Sequence, residues 1–278
     1  EYNFTNDGTV TGNITLNSQN DRLLITNVDH KLTVDGNIRN TGGNLTIKAG
    51  SIEVKGEITS KNSGGYFANT TILLKQNNNT GVNAIFHHVS AVSATNTIAI
   101  GYDSVPNGST QTTDTTTSNS LTIDTLQATR GYAAGGNNKI YANNSNVEIK
   151  NMRSDRATNT VSMGDSGKLK ITTLETNNYG ATNITSSGAQ VEIGQVTTDR
   201  YSTNSIKLNN NGTLNITEGI TVSNDGSNVI KAGSITNTGG ISANSRGKNV
   251  IEAGSITNTG GISTSGGYSS SNTITLTG

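Results

Sequence analysis

NVIKAGSITNTGGIS, residues 228–242, recurs almost unchanged as NVIEAGSITNTGGIS, residues 249–263. Near-identity at a short fixed period marks a repeat architecture, in which one unit cannot bury its own apolar face and neighbours must stack. Within the unit Asn249, Ile251 and Ala253 share parity, Ile256 follows a Gly-Ser step, and Ile262 follows Asn-Thr-Gly-Gly. Alternate residues of a strand point to opposite faces, so Ile251 and Ala253 go to one side and Val250 and Glu252 to the other. Short alternating runs separated by turn residues predict an all-β solenoid, a parallel β-helix with three short strands per coil of roughly 21–24 residues.

IKAGSI at residues 47–52, repeated at 230–235, ties the first fifth of the chain to its end. A second signature, an aliphatic, any residue, then Ile, with a further aliphatic three or four positions on, starts at Leu121, Val147, Leu169, Val191 and Leu214. A third places Asn two residues before the first core aliphatic, at Asn96, Asn138, Asn159, Asn204, Asn228, Asn249 and Asn272. Shared parity turns these amides inward or to a corner, where they can bond one another along the axis as a ladder. The other reading is that Asn only opens a strand after a turn. The Asn-Thr-Gly-Gly turn at Asn40 is read as the same turn that recurs from Asn237 and Asn258.

Residues 101–119 hold Asp, Ser, Thr, Gly and the only proline, Pro106, and predict a loop thrown out from an otherwise single solenoid segment over residues 1–278. Ile274 and Leu276 begin a new coil at the end of the chain, so a piece of a longer rod is expected. A helical fold is disfavoured by 33 glycines and by Asn, Ser and Thr saturating the positions between β-branched residues. Apolar content of 30% would suit disorder, but 19 basic against 19 acidic residues and an ordered apolar spacing favour the solenoid.

The absence of cysteine removes disulfides and thiol chemistry, and a net charge of zero gives no basic stripe for nucleic acid. His87 and His88 are strand neighbours facing opposite ways, with His30 the only other histidine, so no metal site is expected. Asp103, Asp114 and Asp165 lack the periodic partners a calcium-binding β-roll needs. Glu148, Glu175, Glu192, Glu218 and Glu252 come singly in successive coils, a pattern of charge balancing on a solvated sheet and not of paired catalytic carboxylates. No enzyme activity and no cofactor are expected.

Asn-x-Ser/Thr sequons occur at Asn3, Asn13, Asn44, Asn69, Asn78, Asn107, Asn143, Asn183, Asn211 and Asn215. A β-helix rich in Asn and Thr writes such sequons by alternation alone. Glycan occupancy is favoured at Asn107 and Asn211, whose Gly suggests an exposed turn. Tyr66, Phe67, Tyr102, Tyr132, Tyr179 and Tyr201 fall mostly near turns and are the candidate binding surface, with ordinary turn packing as the alternative.

Cysteine-free coils of the form N-x-I-x-A-G-S-I-T-N-T-G-G-I resemble the repeat regions of filamentous haemagglutinin-like, high-molecular-weight adhesins exported by two-partner secretion. The resemblance implies a right-handed helix, exported unfolded through an outer-membrane transporter to the surface of a Gram-negative bacterium. It also implies a receptor or glycan on a host or neighbouring cell as partner, and a cytoplasmic N-glycosyltransferase that modifies some sequons. Two functions follow: an adhesin acting through its outward faces and loops, or a passive shaft presenting a distal receptor-binding or toxin domain. A glycan-cleaving β-helix is a third.

Overall fold

The computed structural model describes residues 1–65, 67–77, 80–102, 104–107, 119–131, 134–209, 211–266 and 269–277. Among them there is no helix. The chain winds into a β-solenoid of about 11 turns. Every pairing between its strands is parallel, for example Asn137–Ala142 beside Thr158–Met163 and Ser145–Asp155 beside Gly167–Asn177.

Register turns the sequence signatures into columns. Ile25, Ile47, Ile72, Ile98, Ile140, Val161, Ile184, Ile206, Ile230, Ile251 and Ile274 stand one above another on the first strand of each coil. The second strand stacks Leu32, Ile52, Ala84, Leu121, Val147, Leu169, Val191, Leu214 and Ile235. The third runs from Ile38 and Ile58 through Val89, Leu126, Met152, Leu174 and Val196 to Ile220 and Ile241. These side chains form one continuous buried core along the axis. Each coil alone would leave its apolar face wet, so the stack supplies the stability.

The second and third strands join more smoothly than the expected turn residues imply. Ser145–Asp155 is one strand whose burial alternates until two successive residues, Lys150 and Asn151, both face solvent. That double step is the bend between faces. Thr213–Val222 carries one residue more, and its register shifts relative to Gln190–Thr198. This explains why the aliphatic spacing lengthens at Ile216 and Ile220.

Three expectations need correction. Residue Asn119 is not loop: it opens the strand Asn119–Thr129, is buried, accepts the Val82 N–H at 3.0 Å and donates to the Asn143 carbonyl at 3.2 Å. The insertion therefore ends before it, and residues 103 and 108–118 lie outside the described residues. Two coils also exceed the expected length, from Ile47 to Ile72 and from Ile72 to Ile98, because more residues separate the strand ending at Lys61 from that starting at Asn69, and Leu74 from Asn83, than separate the equivalent strands of the coils after Asn137. Finally, the Asn-Thr-Gly-Gly tetrapeptides are not equivalent. Asn40 pairs with Ser60 on the third strand, whereas Asn237 pairs with Ile216 at the end of the second. The same four residues turn the chain at two different corners, since what they encode is a tight bend and not a place in the coil.

Candidate functional site

One corner collects the exposed chemistry: the closing corner, where the third strand of a coil hands on to the first strand of the next. In four successive coils it is made by Asn178-Tyr179, Arg200-Tyr201, Asn224-Asp225 and Ser245-Arg246, all with φ between 46° and 67°. Two consecutive left-handed residues are the pattern of a type I′ turn, which Asn, Asp and Gly favour and Tyr or Arg do not. The turns are held from two sides. Gly180, Gly226 and Gly247 N–H groups close them onto the Asn177, Ser223 and Asn244 carbonyls at 2.8–2.9 Å. Tyr179 N–H donates to Arg200 O at 2.9 Å, and Tyr201 N–H to Asn224 O at 3.0 Å, so each turn is bonded to the one above.

Rigid turns aim the side chains outward in register. The rings of Tyr179 and Tyr201 stack at 5.1 Å between centroids and 10° between planes, yet 70% and 53% of their surfaces are exposed. Above them Arg246 grips Asp225 with two parallel bonds, Nε to Oδ1 at 2.7 Å and Nη2 to Oδ2 at 2.6 Å. That bond pair holds the Asp225 carboxyl below the usual carboxylate range. Below and beside them Arg156 lies 3.3 Å from Asp155, and Arg200 3.5 Å from Asp199. Asn178 donates to Asp155 and accepts from Arg200, while Asn224 and Ser223 both donate to Asp199 Oδ1, at 2.6 and 2.7 Å. The ridge is thus a rigid aromatic pair framed by planar amide, carboxylate and guanidinium groups.

The other aromatic candidates divide. Phe67 is 77% exposed at the same corner four coils earlier, between Asn44–Lys61 and Asn69–Leu74. Tyr66 and Tyr132 lie outside the described residues. Tyr102 sits elsewhere, half-buried at the first corner, where burial and then the Asp165 charge raise its phenol pKa. It lines a shallow cleft of about 200 Å³ with Val28, Lys48, Leu73, Lys75 and Asn77. Asp155, Asp199, Asp225, Arg156, Arg200 and Arg246 were not singled out from sequence. The signal that could have found them was turn position: N-Y-G, R-Y-S and S-R-G each follow a third strand.

The seven asparagines of the third signature occupy one column, interrupted by Thr182 between Asn159 and Asn204. Asn96 Nδ2 donates to Asn138 Oδ1 at 3.0 Å, and Asn138 Nδ2 to Asn159 Oδ1 at 2.9 Å. Ser154, Thr182 and Thr176 hydroxyls then relay the chain to Asn204 Oδ1, and Thr198 relays it to Asn228. Asn228, Asn249 and Asn272 complete it at 2.8 and 2.7 Å. The second proton of Asn96, Asn138, Asn159 and Asn249 goes to a third-strand carbonyl, which pins the closing corner from inside.

Among the sequons, Asn3, Asn13, Asn107, Asn211 and Asn215 are exposed, and Asn183 is half-buried. Asn44 and Asn69, also half-buried, are bonded to each other at 3.1 Å. Asn143 is buried, at 6% exposed, unlike the other described sequon asparagines. Asn78, and the Gly108-Ser109 that completes the Asn107 sequon, lie outside the described residues. Outward acids face bases across coils: Glu148, Lys170, Glu192 and Asn215 form one column, and Glu192 bonds Lys168 at 2.6 Å. Glu175 bonds Arg153 at 2.8 Å. Among the described residues no three His, Asp or Glu side chains come together to hold a metal.

Comparison of the chain with protein-family models, with curated proteins and with solved structures finds no match in any of the three, so the turn ridge is defined by its own geometry.

Proposed function

We propose that this chain is an adhesive segment of a secreted bacterial surface protein, attaching to host or neighbouring cells through the outward faces of its coils and the turn ridge above all. The observation that carries the reading is the Tyr179–Tyr201 stack, two large rings kept in solvent on strained, hydrogen-bonded turns. A bulky residue at positive φ costs about 1–3 kcal/mol and persists where surrounding structure enforces it, commonly at sites of function. Exposed Tyr presents contact area at little entropic cost, the property that polar recognition surfaces use. No catalytic role is proposed: the outward Glu53, Asp124, Glu175, Glu192 and Glu252 each face a base of a neighbouring coil and not a second carboxylate. A receptor or glycan is the proposed partner; export through an outer-membrane transporter and sugar transfer to exposed Asn211 or Asn215 belong to the same proposal.

The test is saturable binding of the purified, folded chain to epithelial cells, compared with the Tyr179→Asn/Tyr201→Asn double variant. Asn suits both turn positions, so the variant loses the rings and keeps the fold. Saturable binding by the parent chain is the expected result. A folded parent that binds no cell defeats the adhesive reading and leaves the second one, a passive shaft, which the all-parallel stacking of the coils and their axial hydrogen-bonded column favour.

A further inference from the structure

We propose that Tyr179 and Tyr201 form an oxidative cross-linking site, at which a haem peroxidase with hydrogen peroxide joins the two phenols into a dityrosine, a covalent staple between successive coils. Attachment to cells is no part of the reasoning, which begins with composition. The chain holds no Cys and no Trp, and both methionines, Met152 and Met163, are buried in the core. Thiol and indole are thus absent and thioether is covered, so exposed phenols are left to give up electrons. Tyr179 is 70% exposed and Tyr201 53%, which leaves both within reach of a bulky oxidant. Tyr2 is exposed as well, but among the described residues the Tyr179 and Tyr201 rings are the one aromatic pair in contact.

Coupling requires two phenoxyl radicals in contact, and geometry supplies it. With centroids 5.1 Å apart and planes within 10° of parallel, the carbons of one ring lie against those of the other. The backbone beneath is fixed, since Tyr179 N–H donates to Arg200 O at 2.9 Å and Tyr201 N–H to Asn224 O at 3.0 Å. Reactants held in this way behave as if at very high concentration, so coupling within the chain outruns coupling between chains. Each phenol loses one electron to the oxidant and its hydroxyl proton to water. The two radicals then form one C–C bond between ring carbons ortho to oxygen, and the hydrogen on each of those carbons moves to its own oxygen. Hydrogen peroxide takes up the two electrons and two protons and becomes two waters. Solvent around the rings gives them room to turn from a stack into the linked product. The new bond closes a loop one coil long, and in this cysteine-free chain it constrains the unfolded state as a disulfide would.

The experiment treats the full chain in dilute solution with a haem peroxidase and hydrogen peroxide, then digests it with trypsin. Cleavage after Lys170, Arg200 and Lys207 releases residues 171–200 and 201–207 as separate peptides with one tyrosine each. The expected product is these two peptides joined, lighter by two hydrogens than their sum and showing dityrosine fluorescence, in a yield that dilution of the chain does not change. Unfolding in urea before oxidation lowers that yield about tenfold or more, because the orientation is lost. Tyr179→Phe and Tyr201→Phe each keep a ring in the stack yet abolish the joined peptide, since Phe forms no phenoxyl radical. Covalent dimers as the main product, no peptide joining 171–200 to 201–207, an equal yield from the urea-unfolded chain, or a joined peptide in either Phe variant overturns the proposal. A linked chain that melts no higher than the oxidised Tyr179→Phe variant overturns its role as a staple.

Discussion

At the scale of the residue, the axial asparagines show how a narrow core tolerates polarity. Asn138 is 1% exposed, yet donates to Gln127 O at 2.7 Å and to Asn159 Oδ1 at 2.9 Å while accepting from Asn96. Burying an amide is destabilising unless its bonds are made, and here the neighbouring coils make them. Asn138→Ala removes all three bonds, taking the acceptor from a buried Asn96 Nδ2 proton and the donor from Asn159 Oδ1, so a loss of about 3 kcal/mol is expected. Asn272→Ala, at the partly exposed end of the same column, costs under about 1 kcal/mol. Urea unfolding of the two variants checks the contrast; equal losses would show that the ladder adds nothing beyond strand pairing. The Asn column was legible because parity alone sets which side a strand residue faces. What parity could not reveal is the hydroxyl relay through Ser154, Thr176, Thr182 and Thr198, since its members come from different strands and meet only once the coil closes.

At the scale of the element, strands are specified by alternation and corners by backbone freedom. Gly167 begins its strand at φ +101°, and a Cβ there would lie 2.1 Å from Ser145 O of the coil below. Gly167→Ala therefore incurs both a left-handed backbone and a steric clash, and a loss of about 3–4 kcal/mol is expected. Gly12, at φ +91° with open space around it, bears the backbone penalty alone, about 1 kcal/mol in Gly12→Ala. Thermal denaturation of the pair tests whether coil-to-coil contact at corners limits sequence choice; similar melting points would refute it. Corners are also where sequence reading fell short. Asn-Thr-Gly-Gly bends the chain at two different corners, and Arg200-Tyr201 occupies a turn for which neither residue has a preference. Turn propensity is a local quantity, whereas those turns are enforced by backbone bonds to the turn above. Tyr179 and Tyr201 were visible as turn-borne aromatics, but their stacking depends on the turns of two successive coils being brought into register.

At the scale of the molecule, the stack converts a neutral composition into rows of opposite charges. The coil period places Lys31 above or below Glu53, Lys150 beside Asp124, Lys168 beside Glu192 and Arg246 beside Asp225. Their bonds to these bases hold the Glu53, Asp124, Glu192 and Asp225 carboxyls below their usual values. A carboxyl that binds its proton less tightly when folded than when unfolded stabilises the fold at any pH above its unfolded value, about 4. That contribution disappears as pH falls through the lower folded values. The melting temperature should then be level from about pH 5 to 8 and decline below about pH 4. All four carboxyls are on the surface, so each contributes little, and 1 M salt, with a screening length of about 3 Å, should flatten the acid limb while leaving the plateau in place. A salt-insensitive acid limb would assign the loss to something other than these pairs. A plateau that itself collapses in salt would mean that charge rows, and not the continuous aliphatic core, hold the coils together. The core columns make the opposite outcome the expected one, because apolar burial is indifferent to screening and runs unbroken from coil to coil.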